Sequence, residues 1–266
     1  MDKTPTRAVL AFFALTIALT APFWVVSAVS AAQLMPGLPL AGLAVACPAA
    51  AGLILAWRRG GAAGGRALLG RVFDGGQVRS LAGWLALVLT APAVAAAAFL
   101  ILRMGGSAVP DPAFSLTGTA ALFGVFLLGG LLEELGWTGF ALEALKSRGP
   151  LAAGLIIGAV WAAWHYPALL QAHRSLAWIG WWTLWTMSLR LIMVRLYGLA
   201  GPSVFGMAVF HAMTNLSWQL FPVQGSWFDP RLNGLLMAGV AIALIAMRAS
   251  PAPPPHAPRT TPSPGG

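Results

Sequence analysis

The chain has 266 residues, 58% of them hydrophobic and only 9% charged, with a mean hydropathy of +0.78. A soluble domain carries about 25% charged residues, so this composition excludes an ordinary globular protein and matches a chain dissolved in a bilayer. The net charge of +9 does not indicate a nucleic-acid partner, because the basic residues flank apolar runs instead of forming one patch. The single cysteine, Cys47, excludes a disulfide framework and a cysteine-based metal cluster.

A membrane-spanning helix needs about 20 predominantly apolar residues. Met1 to Arg7 and the apolar stretch after it have the outline of a signal peptide. That stretch is longer than the usual apolar core of about 7–15 residues, so it reads as a retained span. Eight candidate spans follow in chain order: 8–30, 39–57, 81–102, 118–144, 150–168, 176–196, 201–220 and 232–248. Between the second and third lies a Gly-rich stretch carrying Arg58, Arg59, Arg66, Arg71 and Arg79, which reads as a loop. Gly60, Gly61, Gly64 and Gly65 follow no strand, so a phosphate-binding loop is not expected there. Pro110-Asp111-Pro112 and Gly149-Pro150 break the chain around the fourth span. The segment 250–266 is Pro-rich and is expected to be disordered. The expected architecture is all-α: a polytopic membrane bundle of about eight transmembrane helices over 1–249, with a core at 118–220.

Lysines and arginines set the orientation. With the N-terminus cytoplasmic, Lys3, Arg7, the five loop arginines, Lys146, Arg148, Arg190, Arg195, Arg248 and Arg259 fall on or near the inner side. Only Arg103, Arg174 and Arg231 fall outside. An even number of spans then returns the C-terminus to the cytoplasm, and the Pro- and Ala-rich composition suggests a bacterial plasma membrane. Gly154, Gly158 and Ala162 read as a helix-packing face. Trp178, Trp181, Trp182 and Trp185 read as an interfacial and packing stripe.

Charged side chains at membrane depth cost about 2.5 kcal/mol or more, so they require a purpose. Glu133 and Glu134 stand together in the uncharged run from Gly129 to Phe140. Adjacent carboxyls in low dielectric resist double ionisation, which suits one of them to accept a proton from water. Two more polar groups occur in apolar surroundings, His165 after Trp161 and His211 with Asn215. The last two are four residues apart and share a helical face. Counted from the inner ends of their spans, Glu133 and His211 are each about 20 Å deep and His165 about 22 Å. Three helices therefore carry Glu133, His165 and His211 to one level. His173, His256 and Glu143 read as loop, tail and interfacial residues.

The run Glu133-Glu134 with Gly136-Trp137-Thr138-Gly139, then Trp161 and His165, then His211 and Asn215, resembles the CPBP family. These are intramembrane proteases of the CAAX-prenyl-protease, or Rce1-like, and ABI type. The family pattern is Glu-Glu-x-x-x-Arg, an aromatic-x-x-x-His and His-x-x-x-Asn on successive core helices. The resemblance covers 118–220. It implies hydrolysis of a peptide bond in a membrane-associated peptide or lipidated protein. Glu133, Glu134, His165, His211 and Asn215 would be its catalytic residues. Glu133 would be the base on a water that His165 orients, with His211 and Asn215 stabilising the oxyanion. A zinc ion held by Glu133, His165 and His211 is an open alternative to a metal-free scheme. This sequence departs from the pattern at Thr138, where the family has arginine. Glu134 is then expected to lack its usual counter-charge, since Thr138 cannot pair with it one turn earlier. Arg190 could supply a charge from a neighbouring helix, but it lies near the inner end of its span and is expected to snorkel. Thr138 also favours the main alternative, a non-catalytic immunity or scaffold protein that keeps the fold. A proton-coupled transporter ranks lower because no inverted repeat is evident.

Overall fold

The computed structural model describes residues 3–30, 32–35, 38–221, 225 and 227–247. Arg248, Arg259, His256 and the Pro-rich segment 250–266 lie outside the described residues. Among the described residues, eight helices of 16–26 residues form a bundle. They are α1 (Lys3–Ala28), α2 (Cys47–Gly70), α3 (Leu81–Met104), α4 (Leu116–Gly136), α5 (Pro150–Gln171), α6 (Leu176–Leu199), α7 (Val204–Gln219) and α8 (Pro230–Ala246). Among the described residues, five helical stretches are long and apolar enough to cross a membrane, namely Thr6–Ala28, Leu40–Gln77, Leu81–Met104, Leu116–Arg148 and Pro150–Gln171. The chain is an integral membrane helical bundle. A small antiparallel ribbon pairs Gln33–Met35 with Leu38–Pro39 between α1 and α2.

Helix starts follow short-range chemistry. Ser80, Ser115, Ser175 and Ser203 each accept from the backbone N–H three residues on, and Asp229 accepts from Arg231 and Leu232. Such caps satisfy amide groups that the helix itself leaves unpaired. Pro48, Pro150 and Pro230 begin α2, α5 and α8, where a missing N–H costs nothing.

The stretch after Arg58 is not a loop. Helix α2 bends at Gly60 (φ −127°) and Gly61 (φ 57°), then continues to Gly70 and a 3₁₀ segment, Arg71–Gln77. Glycine supplies the left-handed turn, and Ala62, Ala63, Ala67, Leu68 and Leu69 restore helical propensity beyond it. Leu68 is buried against the α4 region, beside the positions of Gly52 and Gly139. Asp74 accepts from Ser203 Oγ (2.9 Å) and from the Val204 and Phe205 amides (3.1 and 2.9 Å), and takes Arg71 Nε at 2.8 Å. The arginine-rich segment is thereby fastened to the start of α7.

Helices approach closely at small residues, as expected where lipid offers no hydrophobic drive between them. A Cβ on Gly136 of α4 would lie 2.3 Å from the Pro48 carbonyl oxygen of α2, and one on Gly130 would lie 2.8 Å from the Ala208 oxygen of α7. The face of Gly154 and Gly158 meets Leu191, Met187 and Arg190 of α6. Trp178 and Trp181 sit near one end of α6, but Trp182 and Trp185 are buried, so that stripe divides between interface and interior.

Two faces of the bundle are tied by contacts. On one, Arg148 donates to Thr6, Arg79 N–H to the Ala200 carbonyl and Tyr197 to Glu143, and Arg195 reaches the Leu244 and Met247 carbonyls. On the other, Gln171 donates to the Trp24 carbonyl, Arg103 pairs with Asp111 and Arg231 stacks on Trp181.

Candidate active site

After Glu133 and Glu134, α4 widens into a π-helical turn, Trp137–Leu142. Such turns shift the register of the side chains that follow and recur at functional sites. Gly136, without a side chain to strike Pro48, lets α4 press on α2 where the turn begins.

The two carboxylates have different surroundings. Glu134 is fully buried (0% exposed) and every oxygen is engaged. Arg190 of α6, itself 1% exposed, grips it bidentately, Nη1 to Oε2 at 2.7 Å and Nη2 to Oε1 at 2.9 Å. Thr138 Oγ1 donates to Oε2 at 2.6 Å, and His211 Nδ1 lies 3.0 Å from Oε1. Two expectations from sequence are corrected here. Thr138 does bond to Glu134 one turn earlier, and Arg190 does not snorkel. Helix α6 runs on to Leu199, so Arg190 lies nine residues, about 13 Å, from its end, beyond the reach of the side chain. The counter-charge that the motif carries on α4 comes in this protein from α6. The Arg190 guanidinium also lies 4.3 Å from the centre of the Trp161 ring, a cation–π contact. Gly158 gives its stem room, since a Cβ there would sit 3.3 Å from Arg190 Cβ.

Glu133 faces a cavity. Trp161 Nε1 donates to its Oε2 at 2.7 Å, and His211 Nε2 lies 4.0 Å from its Oε1. His211 therefore stands between the carboxylates. Because a carboxylate only accepts, Nδ1 carries hydrogen toward Glu134 and Nε2 is aimed at Glu133. His165 Nδ1 lies 2.7 Å from the Trp161 carbonyl. A carbonyl also only accepts, so Nδ1 holds the hydrogen and Nε2 is left with its lone pair. The His165 ring is packed among Trp161, Trp164 and Trp182.

The cavity has a volume of about 170 Å³, and Glu133, His165, His211 and Asn215 all line it. Aromatic residues Trp161, Trp182, Trp185, Phe210 and Trp218 make up much of the rest. Glu134, Thr138 and Arg190 lie behind this lining, so of the five candidate residues Glu134 alone is set back. Sequence reasoning ranked the pairing of Arg190 with Glu134 below snorkelling and missed the bond from Thr138. An arginine flanked by Leu189 and Leu191 in an apolar span was the available signal, since such a charge needs a partner at depth. Glu143, read as an ordinary interfacial charge, accepts from Tyr197 at 2.6 Å and Lys146 at 3.3 Å.

Among the described residues, no three His, Cys, Asp or Glu side chains converge as a metal-holding group. Trp161 occupies Oε2 of Glu133, and the Nδ1 atoms of His165 and His211 are committed to the Trp161 carbonyl and to Glu134. Oε1 of Glu133 and Nε2 of each ring carry no such bond, and these are the atoms that would hold a zinc ion.

Residues 114–217 match the family model described as type II CAAX prenyl endopeptidase Rce1-like. A relative, the CAAX prenyl protease 2 of Methanococcus maripaludis, is 26% identical over 140 residues, covering 49% of this chain and 51% of that protein. The chain thus spans about half the length of the curated relative it matches. The matched segment runs from the start of α4 to α7 and contains Glu133, Glu134, His165, Arg190, His211 and Asn215. Over this segment the chain is similar to the Rce1-like CAAX prenyl endopeptidases.

Proposed function

We propose that this protein is an intramembrane endopeptidase that hydrolyses a peptide bond of a membrane-associated protein or lipidated peptide, with water activated by Glu133. The observation that carries this reading is the convergence of Glu133, His165, His211 and Asn215 on one cavity while Glu134 is withdrawn into a buried ion pair. That division fits one reacting carboxylate and one positioning carboxylate.

In the proposed step Glu133 takes a proton from a water that His165 Nε2 holds by accepting its other hydrogen. The oxygen attacks the scissile carbonyl carbon. Negative charge on the carbonyl oxygen receives donation from Asn215 and from Nε2–H of His211 in its protonated form. The C–N bond then breaks, and the proton on Glu133 passes to the leaving amine. Each preorganised donor at an oxyanion is worth about 3 kcal/mol. Glu134, held by Arg190 and Thr138, fixes the His211 ring and balances its charge. This scheme uses no metal; a zinc ion held by Glu133, His165 and His211 is its alternative. Activity that survives exhaustive chelation agrees with it, whereas loss on chelation with recovery on added zinc contradicts it.

The orientation proposed is positive-inside, with the face of Arg7, Lys146, Arg148 and the arginines between 58 and 79 toward the cytoplasm. A substrate of the class named for the relative, a prenylated C-terminal peptide, is the first to test. The purified protein in lipid vesicles should cleave a quenched fluorescent peptide of that kind, and the Glu133→Gln variant should not. Equal cleavage by both proteins would refute the role of Glu133.

A further inference from the structure

Helix α6 carries two polar atoms on the cavity wall that the proposed step does not use. Trp182 and Thr186 stand four residues apart on one face of the helix, and both line the cavity. They are 4% and 0% exposed, yet neither Trp182 Nε1 nor Thr186 Oγ1 makes a hydrogen bond to any described residue. Neighbouring groups of the same kinds are satisfied. Thr183 and Ser188 on the same helix donate to the carbonyls four residues back, at 2.7 Å each, and Thr214 on the α7 wall does so at 2.9 Å. Trp161 Nε1 and Trp164 Nε1 donate to Glu133 and Thr20. A buried donor without a partner destabilises a fold, so two of them on one wall of a reaction cavity call for an acceptor from outside the chain. The Trp182 ring packs on His165, with ring centres 5.2 Å apart, so the pair begins beside the groups assigned to the water.

Trp182 Nε1–H only donates and the Thr186 hydroxyl can donate, so the group that satisfies both is an acceptor. The two residues are separated by about 6 Å of helix rise. Carbonyls on one side of an extended chain repeat every second residue, at about 6.6–6.8 Å. We propose that Trp182 and Thr186 bind two main-chain carbonyl oxygens of a substrate segment laid along α6 in extended form. The pair reads backbone and not side chains. A helical segment, whose carbonyls are already paired internally, does not fit, so the substrates of this site are extended stretches or helices that unwind. Neither polar atom has free surface in the structure, so the wall yields by side-chain rotation as the segment enters. This inference rests on the hydrolase reading above for the place of the substrate, and its test measures binding without turnover. The Glu133→Gln protein is held in lipid nanodiscs on a surface, and binding of a prenylated C-terminal peptide is read against nanodiscs without protein. In that background Thr186→Val and Trp182→Phe should each weaken binding about 3- to 10-fold, and Thr186→Ser should not. Thr186→Val should unfold at the same temperature or higher, because the hydroxyl it removes has no partner in the fold. A single thioamide, whose sulfur is the poorer acceptor, is then moved along the peptide. At one position it should weaken binding to the parent and add nothing to the loss in Thr186→Val. Unchanged affinity in both Thr186→Val and Trp182→Phe would overturn the proposal. So would a Thr186→Val protein that unfolds at lower temperature, which marks a structural hydroxyl, or a Glu133→Gln protein that does not bind the peptide. The expected losses of binding, with a wild type that cleaves nothing, would refute the hydrolase and leave this inference standing.

Discussion

Replacement of Arg190 by methionine tests the inner half of the site. The side chain makes two charge-assisted bonds to Glu134, at 2.7 and 2.9 Å, and the two groups are 1% and 0% exposed. Methionine keeps the apolar stem but leaves a buried carboxylate facing only Thr138 and His211. Removing one partner of a buried ion pair costs about 3–5 kcal/mol, since the other charge stays desolvated. We predict a loss of that size in reversible unfolding in mixed micelles. Arg190→Lys should lose roughly half as much, because a point charge cannot hold both carboxylate oxygens. Adding Glu134→Gln to Arg190→Met should recover most of the stability but not the activity, as His211 then lacks its anionic partner. Thr138→Arg in the Arg190→Met background restores an arginine at the family's motif position and should recover part of both. A loss below about 1 kcal/mol for Arg190→Met, with activity unchanged, would refute the assignment of Arg190 as the counter-charge.

Three further outcomes are expected. Trp161→Phe keeps the ring under Arg190 but removes the donor to Glu133, a bond to a charged group worth about 1.5–3 kcal/mol. It should lower kcat about 10- to 150-fold with little change in KM, and an unchanged kcat would sink the role. Asn215→Ala should lower kcat by about 10²–10³ while leaving unfolding nearly unchanged, because that side chain makes no hydrogen bond among the described residues. Gly136→Ala drives a methyl group into the Pro48 carbonyl at 2.3 Å and should cost at least about 1–3 kcal/mol, read as lower thermal stability in detergent. Gly60→Ala, which meets nothing within 4 Å, is the matched control.

Much of the bundle was legible because lipid imposes a simple rule on sequence. Every span read from hydropathy corresponds to a helix, with ends that shift by a few residues where caps such as Ser115 and Ser203 decide them. The second element was misread beyond Arg58, where glycine and arginine suggested a loop. Composition there hides one bend at Gly60–Gly61 and a helix anchored by Leu68. The depth of Glu133, His165 and His211 could be counted from helix rise alone, and the structure places all three on one cavity. Which carboxylate faces that cavity could not be counted. It depends on the rotation of α4 against α6 and on the partners Arg190 and Trp161, 56 and 28 residues distant in sequence. The exchange of an intrahelical arginine for one on α6 is a tertiary event, and Thr138 read alone suggested a loss instead.

The central claim, that Glu133 activates water for peptide-bond cleavage, is tested most directly by comparing polypeptide ends in cells carrying the wild type and Glu133→Gln at equal expression. The site described here predicts a set of membrane-proximal ends that is present with the wild type and absent with Glu133→Gln. Identical sets of ends, with the biological effect of the protein intact in both, would contradict it and point to a scaffold that keeps the fold.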